Sequence, residues 1–231
     1  MTKIRLNKFI SSSGVCSRRR ADELINNGLV FVNKNQAKLG SMVGPEDVVT
    51  VGGKKITPHG NKRYFVLNKP RGVITSLSDT QGKGVKKYLP DNIRLFPVGR
   101  LDKDTEGLIL FTNDGDFSQQ LTHPKYQKTK IYHLEYQSKP DNVGKKGIIK
   151  QFLLGVEHRG TQYKVDNAEF ISKNKIKISL HEGKTRHIRI IAGRIGLEII
   201  SLKRISIGKL SLEEISLPLG KIKEISKEDI L

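Results

Sequence analysis

The chain has no tryptophan, one cysteine, two methionines and only 6% aromatic residues among its 231 positions. A lone cysteine, Cys16, cannot close an intrachain disulfide, which fits a reducing compartment and excludes a disulfide-stapled scaffold. It lies in a polar helix-turn region and reads as incidental rather than as a nucleophile. The six histidines, at 59, 123, 133, 158, 181 and 187, form no HxH, HExxH or Cys/His spacing, so no metal site is expected. No apolar run nears the roughly 20 residues of a membrane span. The start, MTKIRLNKFISSSG, lacks the long apolar core of a secretory leader. A soluble, cytoplasmic protein is expected, with no membrane association.

Acids are scarce as well. Lys and Arg number 42 against 23 Asp and Glu, a net charge of +19. The excess is shared, +6 over residues 1–60 and +13 over the remainder. A field of that size favours a polyanionic partner such as nucleic acid; solvated surface lysines are the plainer alternative.

Local pattern divides the chain in two. IRLNKFISSSG reads as a short amphipathic helix, with Ile4, Phe9 and Ile10 inward and Gly14 as its stop. Ser17 is placed to cap a second helix, SRRRADELINNG, that Gly28 ends. LVFVN and VVTVGGKKI read as one strand each. TPHGNKR, residues 57–63, holds no apolar periodicity and reads as a linker. Beyond it, YFVLNKP, GVITS, LILFTN, IYHLEYQ, AEFISK, KIKISL and EIISLKRISIG read as strands. GDFSQQLTHP and TRHIRIIAGRIG read as helices, the second carrying His187 on its surface. The tail KEISKEDIL offers no motif. The predicted domains are 1–58 and 62–231, in an α+β chain.

Arg18, Arg19 and Arg20 fall in the first turn of the second helix, where the helix dipole is already positive. Stability alone would favour acids there, so the cluster reads as an anion site for a phosphate chain. The start RLNKFI, the turn GVCSRRRA, the segment GLVFVN and the closing DVVTV together resemble the S4-like RNA-binding domain, an alpha-L fold. The resemblance covers residues 3 to about 56 and assigns RNA contacts to Arg5, Lys8, Arg18, Arg19 and Arg20.

In the second part, VGRLDKDTEGLILFTNDG places Asp102, Asp104, Glu106 and Asp114 beside an apolar run in a basic chain. Asp102 ends the tight Gly-Arg-Leu-Asp corner, where its short side chain is fixed by the backbone. Arg100 and Lys103 flank it, and nearby cations favour an ionised carboxylate. Asp104 and Glu106 read as polar turn residues and Asp114 as part of an Asn-Asp-Gly turn. From spacing alone, four acids in a loop are also consistent with a solvated turn.

The stretch VGRLDKDTEGLILFTNDG also closely resembles the signature of pseudouridine synthases, in particular the branch that modifies ribosomal RNA and carries an S4-like domain in front. FVLNKPRGVITS, LTHPKYQKTKIYHLEY and LHEGKTRHIRIIAGRIGLEIISLKRISIG resemble the family's other motifs, in the family's order, so the likeness covers about residues 3–225. It implies a mixed, mostly antiparallel catalytic domain behind the S4-like one. It implies that one uridine is flipped out of the RNA and isomerised, without metal or organic cofactor. Asp102 would be the catalytic aspartate, attacking the sugar or removing a proton from it. Tyr132 would pack on the target base and take part in proton removal, and Arg189 would pair with Asp102. Arg100 would help displace the flipped nucleotide or take its place, while Ile188 and Leu101 would line the base pocket. Arg186 and Arg189 could otherwise form a phosphate-binding stripe, and Tyr132 an ordinary sheet residue. Asn68 and Lys69 would support the fold beside the site.

Family members often carry RQIRRM where this chain has RHIRII, so Ile190 replaces an arginine and with it one backbone contact or ion pair. The implied partner is ribosomal RNA, 23S rather than 16S, acted on by a monomer. The rival readings are a non-catalytic RNA-binding ribosome-assembly factor and an RNA hydrolase using paired carboxylates, which would need a metal or a second acid at fixed distance.

Overall fold

The computed structural model describes residues 3–58, 60–78, 82–139 and 143–231. His59 of the predicted linker, and Met1 and Thr2 of the first predicted domain, lie outside them. Contacts divide the chain into two units. One holds residues 1–62, 91–94 and 113–115; the other holds 63–90, 95–112 and 116–231.

In the first unit, β1 (Ile4–Arg5) leads into α1 (Leu6–Ser12), and α2 (Arg18–Asn26) follows a turn at Gly14. Ser17 is the N-cap of α2; its hydroxyl accepts the Arg20 N–H at 3.2 Å. The Asn7 amide donates to Asp22 at 2.9 Å and ties the helices together. Then come β2 (Val30–Val32), β3 (Asn35–Gln36), β4 (Met42–Val43), β5 (Val49–Val51) and β6 (Lys54–Ile56). β4 pairs with β1, and the others form a sheet in the order β3-β2-β5-β6. Leu6, Ile10, Ala21, Val30 and Val49 fill the core between helices and sheet. The segment VVTVGGKKI, expected as one strand, is a hairpin. Gly52 and Gly53 both take positive φ, 55° and 78°, the tight turn whose twist suits a two-residue connection.

The second unit is built on a sheet that runs β13-β14-β10-β15-β9-β7-β17. Its strands are β7 (Tyr64–Lys69), β8 (Phe96–Val98), β9 (Glu106–Thr112), β10 (Lys130–Ser138), β13 (Asn167–Ser172), β14 (Lys175–Leu180), β15 (Glu198–Ile207), β16 (Leu210–Ser211) and β17 (Ile222–Ile225). β8 pairs with β9, and β16 with β15. A small hairpin, β11 (Val156–His158) and β12 (Thr161–Tyr163), stands apart from this sheet. The helices are α3 (Gly115–Thr122), α4 (Lys145–Leu154), α5 (His187–Ile195) and α6 (Leu212–Ile215). All pairings in the large sheet are antiparallel except β15 with β9.

That parallel junction requires a glycine. Gly107 has φ +103°, and a Cβ on it would lie 2.2 Å from the Arg204 carbonyl oxygen. The two backbones therefore touch where a side chain would stand.

Four expectations differ from the structure in this unit. GVITS forms only a bridge, Ile74 to Gly84. Thr75 diverts the chain: its hydroxyl donates to the Leu101 carbonyl at 2.8 Å and accepts the Leu101 N–H at 3.1 Å. α4 was not expected; it buries Ile148 and Phe152, one turn apart, between lysines that hide the periodicity. His187 is buried rather than on the surface, because it starts α5 with its ring turned inward. The tail also has a structural part. β17 pairs with β7, Arg63 and Glu224 form an ion pair, and Ile230 is fully buried against the core around Tyr64 and Leu108.

Two stability outcomes are expected. Gly107→Ala should lower the unfolding free energy by about 3 kcal/mol, read as a lower denaturant midpoint, whereas Gly115→Ala, with open space around it, should leave the midpoint unchanged or raise it. Ile230→Ala should cost about 3 kcal/mol through lost burial and the cavity left behind; a wild-type melting curve would show that the last residues carry no packing load.

Candidate active site

Fastening of the Gly99–Thr105 corner starts from a buried ammonium. Lys69 is fully buried at the end of β7. Its Nζ donates to the carbonyls of Val73 at 2.7 Å, Pro70 at 3.1 Å and Lys103 at 3.4 Å. Burial pushes its pKa down to about 8, against the pull of Asp104, Asp102 and Glu106. The Gly72 N–H also donates to the Lys103 carbonyl, at 2.8 Å. Together with the Thr75–Leu101 pair, these bonds hold the corner at both ends. Gly99 takes φ +75° to enter it, and the Thr105 N–H donates back to the Asp102 carbonyl at 3.0 Å. Asp102 is thereby set on a rigid turn, its side chain 32% exposed.

The end of α5 faces the same place. Arg186 is the N-cap residue and has a left-handed backbone, φ 55°, which costs a non-glycine residue energy. The His187 ring locks this turn. Its Nε2 bonds the Lys164 carbonyl at 2.9 Å, and its Nδ1 accepts the Lys184 N–H at 3.4 Å. Burial lowers its pKa, partly offset by the bond to Lys164, so the neutral ring donates at one nitrogen and accepts at the other.

Arg189, one turn on, donates from Nη2 to the Asp104 carbonyl at 2.8 Å and the Thr105 hydroxyl at 3.1 Å. Its Nε lies 3.8 Å from an Asp102 carboxylate oxygen and has no hydrogen-bond partner. Burial lowers the pKa of Arg189, and Asp102 pulls the other way. The Arg189–Asp102 contact is therefore a charge contact rather than a hydrogen bond. Arg189 is anchored by the corner's backbone and leaves the carboxylate free to meet another group.

A cavity of about 170 Å³ opens here. Arg100, Leu101 and Asp102 reach it from the corner, Tyr132 from β10, and Arg186, Ile188 and Arg189 from α5. All seven residues expected at the site thus line one space, although they come from three separate stretches. Leu101, Tyr132 and Ile188 are buried, and Arg100 and Arg186 are exposed at the rim. The cavity has an apolar wall and a strongly cationic edge with one carboxylate inside.

Among the lining residues that were not anticipated are two buried cations, Lys130 and Arg204. Lys130 shares the inward face of β10 with Tyr132. Its Nζ donates to the His181 carbonyl at 2.9 Å and the Lys128 carbonyl at 3.2 Å. Burial first, and the Arg204 charge second, push its pKa down to about 8. The signal was present in the sequence. In KIYHLEY and SLKRISI a cation occupies the parity that otherwise carries buried residues, a place a cation takes only when something there uses it.

The expected RNA contacts lie in the first unit. Arg5 is on β1, Lys8 on α1, and Arg18, Arg19 and Arg20 form the exposed first turn of α2. Arg20 pairs with Glu23, while the Arg18 guanidinium donates to Asn7 at 3.4 Å.

Residues 63–192 match the family described as RNA pseudouridylate synthase, and residues 4–49 match the S4 domain. The chain is 39% identical to ribosomal large subunit pseudouridine synthase B of Bacillus subtilis, over 87% of this chain and 84% of the relative. It is 38% identical to an uncharacterized RNA pseudouridine synthase of Aquifex aeolicus, over 90% and 85%. It is 34% identical to the dual-specificity RNA pseudouridine synthase RluF of Escherichia coli, over 100% and 78%. A crystal structure of a pseudouridylate synthase superposes with a TM-score of 0.69 at 26% identity, covering 98% of this chain and 97% of that one. The chain belongs to the pseudouridine synthase family, with an S4 domain ahead of a mixed, sheet-dominated synthase domain.

Proposed function

We propose that this enzyme isomerises one uridine of ribosomal RNA to pseudouridine, with Asp102 as the catalytic carboxylate and the uridine flipped out of its stack. The observation that carries this reading is the single cavity that gathers Asp102, Tyr132 and Arg189. The relative named for the large ribosomal subunit supports ribosomal RNA, and we take the 23S molecule as the substrate. Residues 1–58 serve as the RNA-binding domain and residues 62–231 as the catalytic one. The proposal includes a cytoplasmic monomer that needs no metal.

The roles follow from where each group stands. Unstacking a base costs a few kcal/mol, and the cationic rim at Arg100 and Arg186 repays it through phosphate contacts. Arg100 fills the place the base vacates. The flipped base enters between Leu101, Ile188 and the Tyr132 ring, where stacking and exclusion of water hold it. Asp102, on its rigid corner, then meets the sugar. Arg189 keeps positive charge beside it without consuming its lone pairs, so the carboxylate acts either on the anomeric carbon or on a sugar proton. In the first unit, Arg5, Lys8, Arg18, Arg19 and Arg20 grip the RNA backbone.

The test is ribosomal RNA from cells with and without the gene, treated with a carbodiimide that marks pseudouridine and read by reverse-transcription stops. One stop should vanish on deletion and return with the wild-type gene but not with Asp102→Asn. Return of the stop with Asp102→Asn would remove the catalytic role of that residue. An unchanged map, with RNA still bound, would favour the non-catalytic assembly factor. Arg189→Gln should lower single-turnover pseudouridine formation about 100-fold while changing RNA affinity little; an equal loss of both would make Arg189 a phosphate contact instead.

A further inference from the structure

β10 and β15 do not pair in simple alternation at the site. Ile131 faces Ser206, the next position skips Ile205, and Tyr132 faces Arg204. Bulges of this kind re-aim a side chain beside an active site. Without the extra residue Tyr132 would stand opposite Ile205. With it, Tyr132 and Arg204 face each other and both line the cavity. On its other edge, Arg204 pairs with Gly107, the glycine whose missing side chain lets the two backbones touch. Two separate irregularities thus bring this one arginine under the tyrosine.

Arg204 is buried, 3% exposed. Nε donates to the Leu108 carbonyl at 2.7 Å and Nη1 to the Tyr132 hydroxyl oxygen at 3.3 Å, while Nη2 is buried without a hydrogen-bond partner. Among the described residues no carboxylate lies within ion-pair distance of it. A buried guanidinium without a counter-charge is costly, and it is most useful where negative charge will form. A guanidinium has donors only, so the phenol oxygen must accept in this contact. The Tyr132 proton is then turned away from Arg204. Should that proton leave, the phenolate oxygen already has a cation against it. The other charged or titratable groups that line the cavity are Lys130 on the same strand as Tyr132, Asp102 and Arg100 on the corner, and Lys184, Arg186, His187 and Arg189 at α5.

We propose that Arg204 is a positioning residue that acts through Tyr132, holding the phenol and stabilising its phenolate so that Tyr132 takes the proton from the rejoined uracil. This rests on the reading of the site as a uridine-isomerising centre. The proton balance is closed. When the base is rejoined through carbon, that carbon's C–H bond breaks and its electron pair returns to the ring. The proton passes to the phenolate oxygen and on to solvent. The nitrogen released from the sugar gains one proton, so nothing is oxidised or reduced.

The experiment uses ribosomal RNA from the deletion strain, labelled with tritium at uridine carbon 5, and follows tritium released to water in single turnovers across pH. Wild type should rise with pH to a plateau. Arg204→Gln should be about 100-fold slower near neutrality and reach its plateau at least about one pH unit higher, with Arg204→Lys between the two. Combined with Tyr132→Phe, the Arg204 change should add less than about twofold, since groups acting as one unit are not additive. An unshifted pH profile, a flat wild-type profile or fully multiplicative losses would overturn the proposal. If Arg204→Gln does not fold, Arg204→Lys carries the same comparison, checked by melting temperature and RNA binding. Activity retained by Asp102→Asn would instead sink the catalytic reading itself.

Discussion

A buried cation must find oxygen, and in this protein it finds mostly backbone oxygen. Lys69 bonds three carbonyls, Lys130 two, Arg189 one carbonyl and a hydroxyl, and Arg204 one carbonyl and a phenol. The bonds from Lys69 and Arg189 help to pin the Gly99–Thr105 corner. Lys69 and Arg189 both bond carbonyls of the corner that carries Asp102, those of Lys103 and Asp104. The position of the carboxylate therefore depends on where two of these cations, Lys69 and Arg189, are satisfied.

Carbonyl partners also leave the charge in place. A lysine paired with a carboxylate is neutralised; one held by carbonyl dipoles is solvated but still cationic. The cavity accordingly keeps a positive potential that a single partly exposed acid does not cancel. The depressed pKa values of Lys69 and Lys130, both near 8, are the cost of that arrangement. Relative to the unfolded chain, both groups weigh against stability below about pH 8, and the penalty is relieved as pH rises toward the ordinary lysine value near 10.4. Such a floor suits a polyanionic substrate and a reaction in which a base or a phenol carries transient negative charge.

Much of this was legible in the sequence. Ser17 before three arginines marked α2, a continuous apolar run marked β9, which is buried on both faces, and alternation marked β10, β14 and β15, because burial on one face writes a period into the chain. The seven residues expected at the site were picked out from motifs, and they line one cavity. What escaped was what depends on a partner far along the chain. GVITS has a strand's composition, but Thr75 bonds Leu101 instead. His187 sits among charged residues, yet Lys164 and Lys184 accept and donate to its ring, so it is buried. β17 has no strong pattern of its own and is ordered by β7. Lys130 and Arg204 break the apolar parity of their strands, which was visible, but the reason lies across the sheet.

β15 is where these constraints meet. It pairs antiparallel with β10 through a bulge and parallel with β9 at a glycine. A regular antiparallel sheet would have neither feature, and Arg204 would then lie opposite a different residue on one side and a side chain on the other. The parallel junction requires Gly107 because the chain arrives from the corner directly beside Arg204, and the corner's course is itself fixed by Lys69. Changing one of these local exceptions would move the others. The irregular register is thus the means by which the sheet turns a buried arginine toward a tyrosine, and the acidic corner toward the same cavity.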